Sequence, residues 1–419
     1  MTAEFEPAHF KSGAAIRAVG ETLRRIDPRL VDHGERVAFA ATELCRLGGL
    51  ELDEEKLFLL SVFHDIGAYK TDEIDRMVEF ETRDVWNHSI YGSLFLKHMT
   101  PLSDMAEAIL YHHSSWTDTA ASGSPWGEYA ALLHLADRLD IIAPLGPDSP
   151  QLRFLCSGGD GQFRPEYAAI LKRALDGGKL LERLRDGSYA AANQKLLDSI
   201  EMSDGEVLDY LKMIAYSIDF RSEFTVTHTI NTVAISLALA DRLELDPLMK
   251  EKIYIGALLH DVGKIAVPVE ILEYPGKLTD EQMTIMRTHV VESERLIRNV
   301  VTDEICDMAV RHHEKLDGSG YPMGLTGESL TVPQRIVAVA DIVSALSSRR
   351  SYKEPFPKEK TVGILRRMEK SQLDKEMCDY ICDNYDSVMA LTDSSRAPVI
   401  QSYRAIKDEY EELKKRFAG

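Results

Sequence analysis

The stretch Ala257-Leu258-Leu259-His260-Asp261-Val262-Gly263-Lys264 decides how this chain is read. An apolar run delivers a histidine and an aspartate side by side, and a glycine then bends or stops the helix. Neighbours on a helix point about 100° apart. An imidazole and a carboxylate can therefore reach two sides of one small site, and the carboxylate can bridge two cations. This donor pair suits iron, manganese or zinc better than magnesium. One such dipeptide is weak evidence; an ordered set of them is not.

The set occurs twice. The second half carries His228, His260-Asp261, His289, His312-His313 and Asp341, and the first half carries His33, His64-Asp65, His88, His112-His113 and Asp137. Contexts repeat as well: Phe63-His64-Asp65-Ile66-Gly67 parallels Leu259-His260-Asp261-Val262-Gly263, and Leu135-Ala136-Asp137 parallels Val339-Ala340-Asp341. Internal repetition of this kind implies two copies of one domain. Apolar spacings of three and four over 35–47 and 229–243 predict helices, and alternating strand patterns are scarce. The expected class is all-α, with two tandem helical bundle domains. The copies divide within the polar stretch 195–208, giving 1–202 and 203–419. Residues 153–165, rich in glycine, read as a loop, and 403–417 as a charged terminal helix.

Bulk properties narrow the functions. The chain has 419 residues and a formal net charge of −19, which argues against binding a nucleic-acid polymer through its backbone. No apolar run approaches the ~20 residues of a membrane span. Five scattered cysteines suit a reducing cytoplasm better than a disulfide framework, and Cys378 and Cys382 read as helix packing.

Seven ligands in one copy are too many for one ion and fit a two-metal site, whose ions lie roughly 3.5–4 Å apart. Two metals suggest phosphoester hydrolysis, in which a hydroxide bridging the ions attacks phosphorus. Lys264 stands close enough in sequence to neutralise a phosphate oxygen, and Arg350 and Lys353 beyond Asp341 offer a second phosphate contact. After His312-His313-Glu314 comes Asp317-Gly318-Ser319-Gly320-Tyr321-Pro322, a turn whose glycines allow unusual backbone angles and whose proline keeps Tyr321 out of helix.

Over roughly 210–390 the chain resembles an HD-GYP domain, the branch of the HD phosphohydrolase superfamily that hydrolyses cyclic dinucleotides. The resemblance rests on His260-Asp261-Val262-Gly263-Lys264, on His312-His313-Glu314 with Asp317 to Pro322, Gly324-Leu325 and Gly327, and on Arg335 to Asp341. It implies that His228, His260, Asp261, His289, His312, His313 and Asp341 hold two divalent ions, iron or manganese, with Asp261 bridging. It also implies that Lys264, Arg350 and Lys353 contact substrate phosphates and that the loop bearing Tyr321 walls the pocket. Some members add a third metal through a glutamate four residues before the first histidine. Phe224 stands there and Glu223 one step earlier, so two metals are expected. Ser344 replaces an aspartate that the family often carries.

The first half resembles a divergent HD domain. Its ligand set, His33, His64, Asp65, His88, His112, His113 and Asp137, is complete and is a candidate second metal site. The helpers are gone: Ala68 replaces the lysine although Lys70 is near, Ser114-Ser115-Trp116-Thr117 follows the histidine pair, and Gly146 stands where Arg350 would. This half is expected to be a regulatory, poorly catalytic domain.

The leading expectation is a phosphodiesterase in which Asp261 and Lys264 are catalytic and which converts cyclic di-GMP to linear pGpG and on to GMP. The alternatives are a 3',3'-cyclic GMP-AMP phosphodiesterase and a dinucleotide-binding adaptor without turnover. A homodimer is an expectation from the resemblance.

Overall fold

The structure is a computed structural model. It describes residues 9–10, 28–70, 86–177, 179–201, 203–220, 226–348 and 354–417. The expected all-helical class holds: among the described residues the only extended pairings are the isolated bridges Phe10–Val301 and Asp317–Thr326. The chain packs as two units, one formed by 202–403 and the other by 26–201 with 404–417.

Each unit is built on five helices in the same order. In one they are Pro28–Gly48, Glu54–Phe63, Trp86–Met99, Ala106–Leu110 and Gly127–Ile142; in the other, Val226–Arg242, Pro247–Leu259, Asp280–Ile297, Asp303–Val310 and Val332–Ser347. Local chemistry starts these helices where the sequence says it should. Asp246 caps Pro247–Leu259 by accepting from the Met249 N–H at 3.0 Å, with proline in the first turn. Thr279 and Gln282 form a capping box at the start of Asp280–Ile297, and Thr331 and Gln334 do the same for Val332–Ser347. The apolar run that ends in His260 is core: Ile255, Ala257 and Leu259 are wholly buried. Burial of that run fixes the depth at which the histidine emerges.

The glycine after each His-Asp pair sets the packing. A Cβ on Gly263 would lie 2.0 Å from the His289 carbonyl oxygen and 2.3 Å from the Ser293 nitrogen; one on Gly67 would lie 2.0 Å from the His88 oxygen. Only glycine lets the turn seat against the helix that brings the third histidine. The Ser293 hydroxyl stitches the same junction, accepting from the Gly263 N–H at 2.8 Å and donating to the His260 carbonyl at 3.0 Å.

Two stretches differ from their sequence reading. Residues 153–165 are not all loop: Ser149 caps a helix Pro150–Cys156 that starts on a proline, a short turn over Gly159–Gly161 follows, and Pro165–Asp176 is helix. The glycines form the turn, but the two Pro-initiated helices flank it closely. The terminal helix is longer than 403–417 and runs from Tyr385 to Phe417 through Pro398. Its end packs on Trp86–Met99, where Tyr410 stacks on Tyr91 at 4.1 Å and donates to Asn87 Oδ1 at 2.8 Å, and Phe417 stacks on Trp86 at 4.7 Å.

Because no side-chain movement relieves a clash with backbone, Gly263→Ala should destabilise its unit by about 3 kcal/mol. Denaturant unfolding of the variant should show one of two transitions moved to lower denaturant and the other unchanged.

Candidate metal centre

In residues 202–403 all seven expected ligands converge. Asp261 sits between two groups of histidines. Its Oδ2 lies 3.4 Å from His228 Nε2 and 3.1 Å from His260 Nε2; its Oδ1 lies 3.4 Å from His289 Nε2 and 3.9 Å from His312 Nε2. Asp341 repeats the arrangement, with Oδ1 3.1 Å from His228 Nε2 and Oδ2 3.6 Å from His313 Nδ1. Two groups could each hold an ion: His228, His260 and Asp261, and His289, His312 and His313.

The rings are aimed by their other nitrogens. Nδ1 of His260 donates to the Ala257 carbonyl at 2.7 Å, that of His289 to Met286 at 2.7 Å, and that of His312 to Ala309 at 2.5 Å. Each partner is three residues back in the chain, so the i−3 carbonyl fixes the tautomer and leaves Nε2 with a free lone pair facing the centre. His228 uses a different device. The Ser344 hydroxyl donates to the His228 carbonyl at 3.0 Å and so accepts from Nδ1 at 2.8 Å. The serine that departs from the family pattern thus holds a ring. Its register partner in the first copy, Asp140, had no assigned role in the sequence; it accepts from His33 Nδ1 at 2.8 Å and is gripped by Arg36.

Cation binding needs carboxylate and neutral imidazole ligands; Asp261, Asp341, His312 and His313 are held that way, whereas burial lowers His260 but Asp261 outweighs it and raises the ring. Burial works to raise Asp261, but His260, Lys264 and the hydrogen bond from His228 hold it well below the usual carboxylate range. Asp341 is likewise held well down, against burial, by His228 and His313. Burial and neighbouring His260 push His312 down to about 3, and burial with His312 pushes His313 well below its usual value.

Around the centre, the Lys264 ammonium bonds to Asp261 Oδ2. The loop after the histidine pair is fastened by Glu314, buried, which accepts from the Met323 N–H at 2.7 Å and the Leu325 N–H at 2.9 Å. Gly318 takes the left-handed φ of 76° that the turn sequence predicts; Gly320 is required for another reason, since a Cβ there would lie 2.4 Å from Glu314 Cα. The loop places the Tyr321 ring 4.6 Å from that of His313. Arg287, which sequence reading passed over, lays its guanidinium 4.9 Å over Tyr321, and no carboxylate among the described residues pairs with it. Its only sequence signal is its position two residues before His289. Arg350, Lys353, Glu223 and Phe224 lie outside the described residues.

Residues 26–201 assemble the same cage. Asp65 Oδ2 lies 3.6 Å from His33 Nε2 and 3.2 Å from His64 Nε2, and Oδ1 lies 3.7 Å from His88 and 3.9 Å from His112. Asp137 bridges His33 at 3.2 Å and His113 at 3.6 Å. Here His64 Nε2, His112 Nε2 and both Asp65 oxygens are buried without a hydrogen-bond partner. Orphaned buried polar atoms are costly, and a cation on either side of Asp65 would satisfy the atoms that face it. Ala68 puts no cation at the place of Lys264.

The twice-built His/Asp cage defines the class, and sequence comparison agrees. Family models for the HD domain match residues 30–142 and 212–377, and the chain belongs to the HD-domain family, as the histidine pattern indicated. Over 88% of its length it is similar, at 29% identity, to the 3'3'-cGAMP-specific phosphodiesterase 1 of Vibrio cholerae, 91% of which is covered. It is 42% identical over 149 residues to a cyclic di-GMP phosphodiesterase of Pseudomonas aeruginosa, covering 35% of each chain, and 37% identical over 200 residues to one from Thermotoga maritima, covering 47% of this chain and 50% of that one. Its fold is similar to the crystal structure of a cyclic GMP-AMP-specific phosphodiesterase of V. cholerae, with a TM-score of 0.55 at 17% identity over 93% of this chain and 98% of that one.

Removing the Ser344 hydroxyl leaves His228 Nδ1 without its acceptor. Ser344→Ala should lower metal affinity roughly 10- to 100-fold, while Ser344→Asp, which supplies the Asp140 contact of the first copy, should restore it; metal titration of the purified variants reads both.

Proposed function

We propose that 203–419 is the catalytic domain and that it hydrolyses a phosphodiester of a cyclic dinucleotide, cyclic di-GMP, to linear pGpG and then GMP. The observation that carries this reading is the position of Asp261, one carboxylate with two histidines at each oxygen. That geometry calls for two divalent ions, one per side, and the imidazole and carboxylate donors favour iron or manganese. When bound, such a pair supplies an activated water and offsets charge on the phosphate.

The protein does the rest by positioning. Asp261 and Asp341 span the two sides, and the Nδ1 anchors hold each ring so that little reorganisation accompanies reaction. Lys264 is within a hydrogen bond of Asp261, so its ammonium reaches a phosphate oxygen held there. Tyr321 forms a flat wall beside His313 on which a base can lie. Arg287, held over that wall with no carboxylate paired to it among the described residues, offers its N–H donors to an anionic oxygen or a guanine edge. Arg350 and Lys353 complete the phosphate contacts in this reading. Residues 1–202 serve as a regulatory domain, and the protein acts as a cytoplasmic homodimer, its five cysteines all free; light scattering checks the assembly.

A second substrate reading is favoured by one finding: the relative that matches nearly end to end is named for 3'3'-cGAMP. The decisive assay loads the purified protein with iron or manganese without oxygen and offers it cyclic di-GMP and 3',3'-cyclic GMP-AMP in parallel. Linear product is expected, with the faster substrate naming the enzyme. Asp261→Ala should give no product, and Asp65→Ala should keep most of the activity. No turnover of either substrate with either metal sinks the enzyme reading in favour of a binding adaptor. Arg287→Ala should raise KM about tenfold, a loss of ~1.4 kcal/mol of substrate contact, with kcat changed less.

A further inference from the structure

We propose that the cage in residues 26–201 holds one cation, on the side of His33, His64 and Asp65, and that the Arg138 guanidinium stands in for the second. The inference goes beyond the catalytic reading of the other unit and uses it only as a template for the two sides.

The frames match closely. Asp137 Oδ1 and Oδ2 lie 3.2 Å and 3.6 Å from His33 and His113, where Asp341 gives 3.1 Å and 3.6 Å to His228 and His313. The difference is the next residue. Arg138 is 5% exposed and places Nε at 3.0 Å and Nη2 at 2.7 Å from Asp137 Oδ2, the oxygen that faces His113. Ile342 stands at this register in the other copy and supplies no charge. A fixed, buried guanidinium on that oxygen repels a divalent ion on the same side, and like charges so close in a dry site are strongly unfavourable. Arginine does not lose its proton, so the repulsion persists at every working pH. His113 Nε2 is also committed, lying 3.0 Å from His88 Nε2 so that one ring donates to the other.

The opposite side is reinforced instead. His33, His64 and an Asp65 oxygen lie within one ligand sphere, as Asp65, His88, His112 and His113 do on the Arg138 side. Behind His33 stands Asp140, locked by Arg36 at 2.5 Å and 2.9 Å, a carboxylate where the other copy has the neutral Ser344. A carboxylate behind a ligating histidine raises its basicity and strengthens its hold on a metal. Access differs too: the His113 side chain is 7% exposed against 25% for His313. One well-backed ion in a closed cage, with Ala68 at the place of Lys264, is a structural staple that joins the helices Pro28–Gly48, Glu54–Phe63 and Gly127–Ile142. On the Arg138 side, Asp65 Oδ1 and His112 Nε2 are buried acceptors without a hydrogen-bond partner, so the guanidinium and the His88–His113 contact are what stand against a second ion there.

The test counts metal per chain in full-length protein reconstituted with manganese and dialysed, and records its electron paramagnetic resonance spectrum. Wild type should hold one ion more than Asp65→Ala, and Arg138→Ile one ion more than wild type. His260→Ala/Asp261→Ala, stripped of the catalytic pair, should keep one ion and show the isolated six-line manganese signal. An exchange-coupled pair in that double variant, or an equal count in wild type and Asp65→Ala, overturns the proposal. Should Arg138→Ile fail to fold by circular dichroism, the double variant's spectrum decides alone. Failure of His260→Ala/Asp261→Ala to lose two ions would count against the catalytic pair and not against this site.

Discussion

One buried carboxylate with imidazoles on both of its oxygens is the constraint from which the rest of each unit follows. Asp261 can face His228 and His260 on one side and His289 and His312 on the other only if the four segments that carry these histidines bring them to the same depth. A carboxylate so enclosed is expensive to bury, and the imidazoles around it compete with one another for protons. Lys264 offsets part of that cost in one copy. In the other, Asp65 has no such partner and keeps both oxygens unsatisfied. Stability and metal affinity are therefore the same issue in these cages, because an ion that satisfies the ligands also stabilises the fold that gathers them.

The architecture meets the depth requirement with backbone contacts. Gly263 lets the turn after the His-Asp pair touch the helix Asp280–Ile297, and Gly67 does the same against Trp86–Met99. The i−3 carbonyls then aim the rings of His260, His289 and His312 without help from distant residues. This economy explains how two copies that share few helper residues keep almost the same distances. What differs lies one layer out: Ser344 against Asp140, Ile342 against Arg138, Lys264 against Ala68. These exchanges change charge and access while leaving the frame alone, and on the proposed reading they separate a site for turnover from one that holds an ion.

Much of this was legible in the chain. The order of histidines and aspartates, written twice, gave the helical class, the family and a candidate ligand set for each copy, since each ligand rides on or beside a helix whose apolar positions mark its buried face. Less was legible where the role depends on partners far off in sequence. Arg287 carries no motif, and its place over Tyr321 arises from the path of the loop pinned by Glu314. Arg138 and Asp140 carry no motif either, and their roles rest on contacts with Asp137 and His33. The glycines at 158, 159 and 161 outweighed Pro150 and Pro165 in a reading that weighs punctuation without knowing which residues pack.

Sequence alone determined which side chains could serve as ligands and on which kind of element they ride, because periodicity and residue chemistry are local. Tertiary structure alone decided which oxygen faces which ring, which cation lies against which carboxylate, and how far each centre opens to solvent. Those depend on close approach between helices that are neighbours in space and not in sequence, where a shift of one ångström changes a ligand into a bystander.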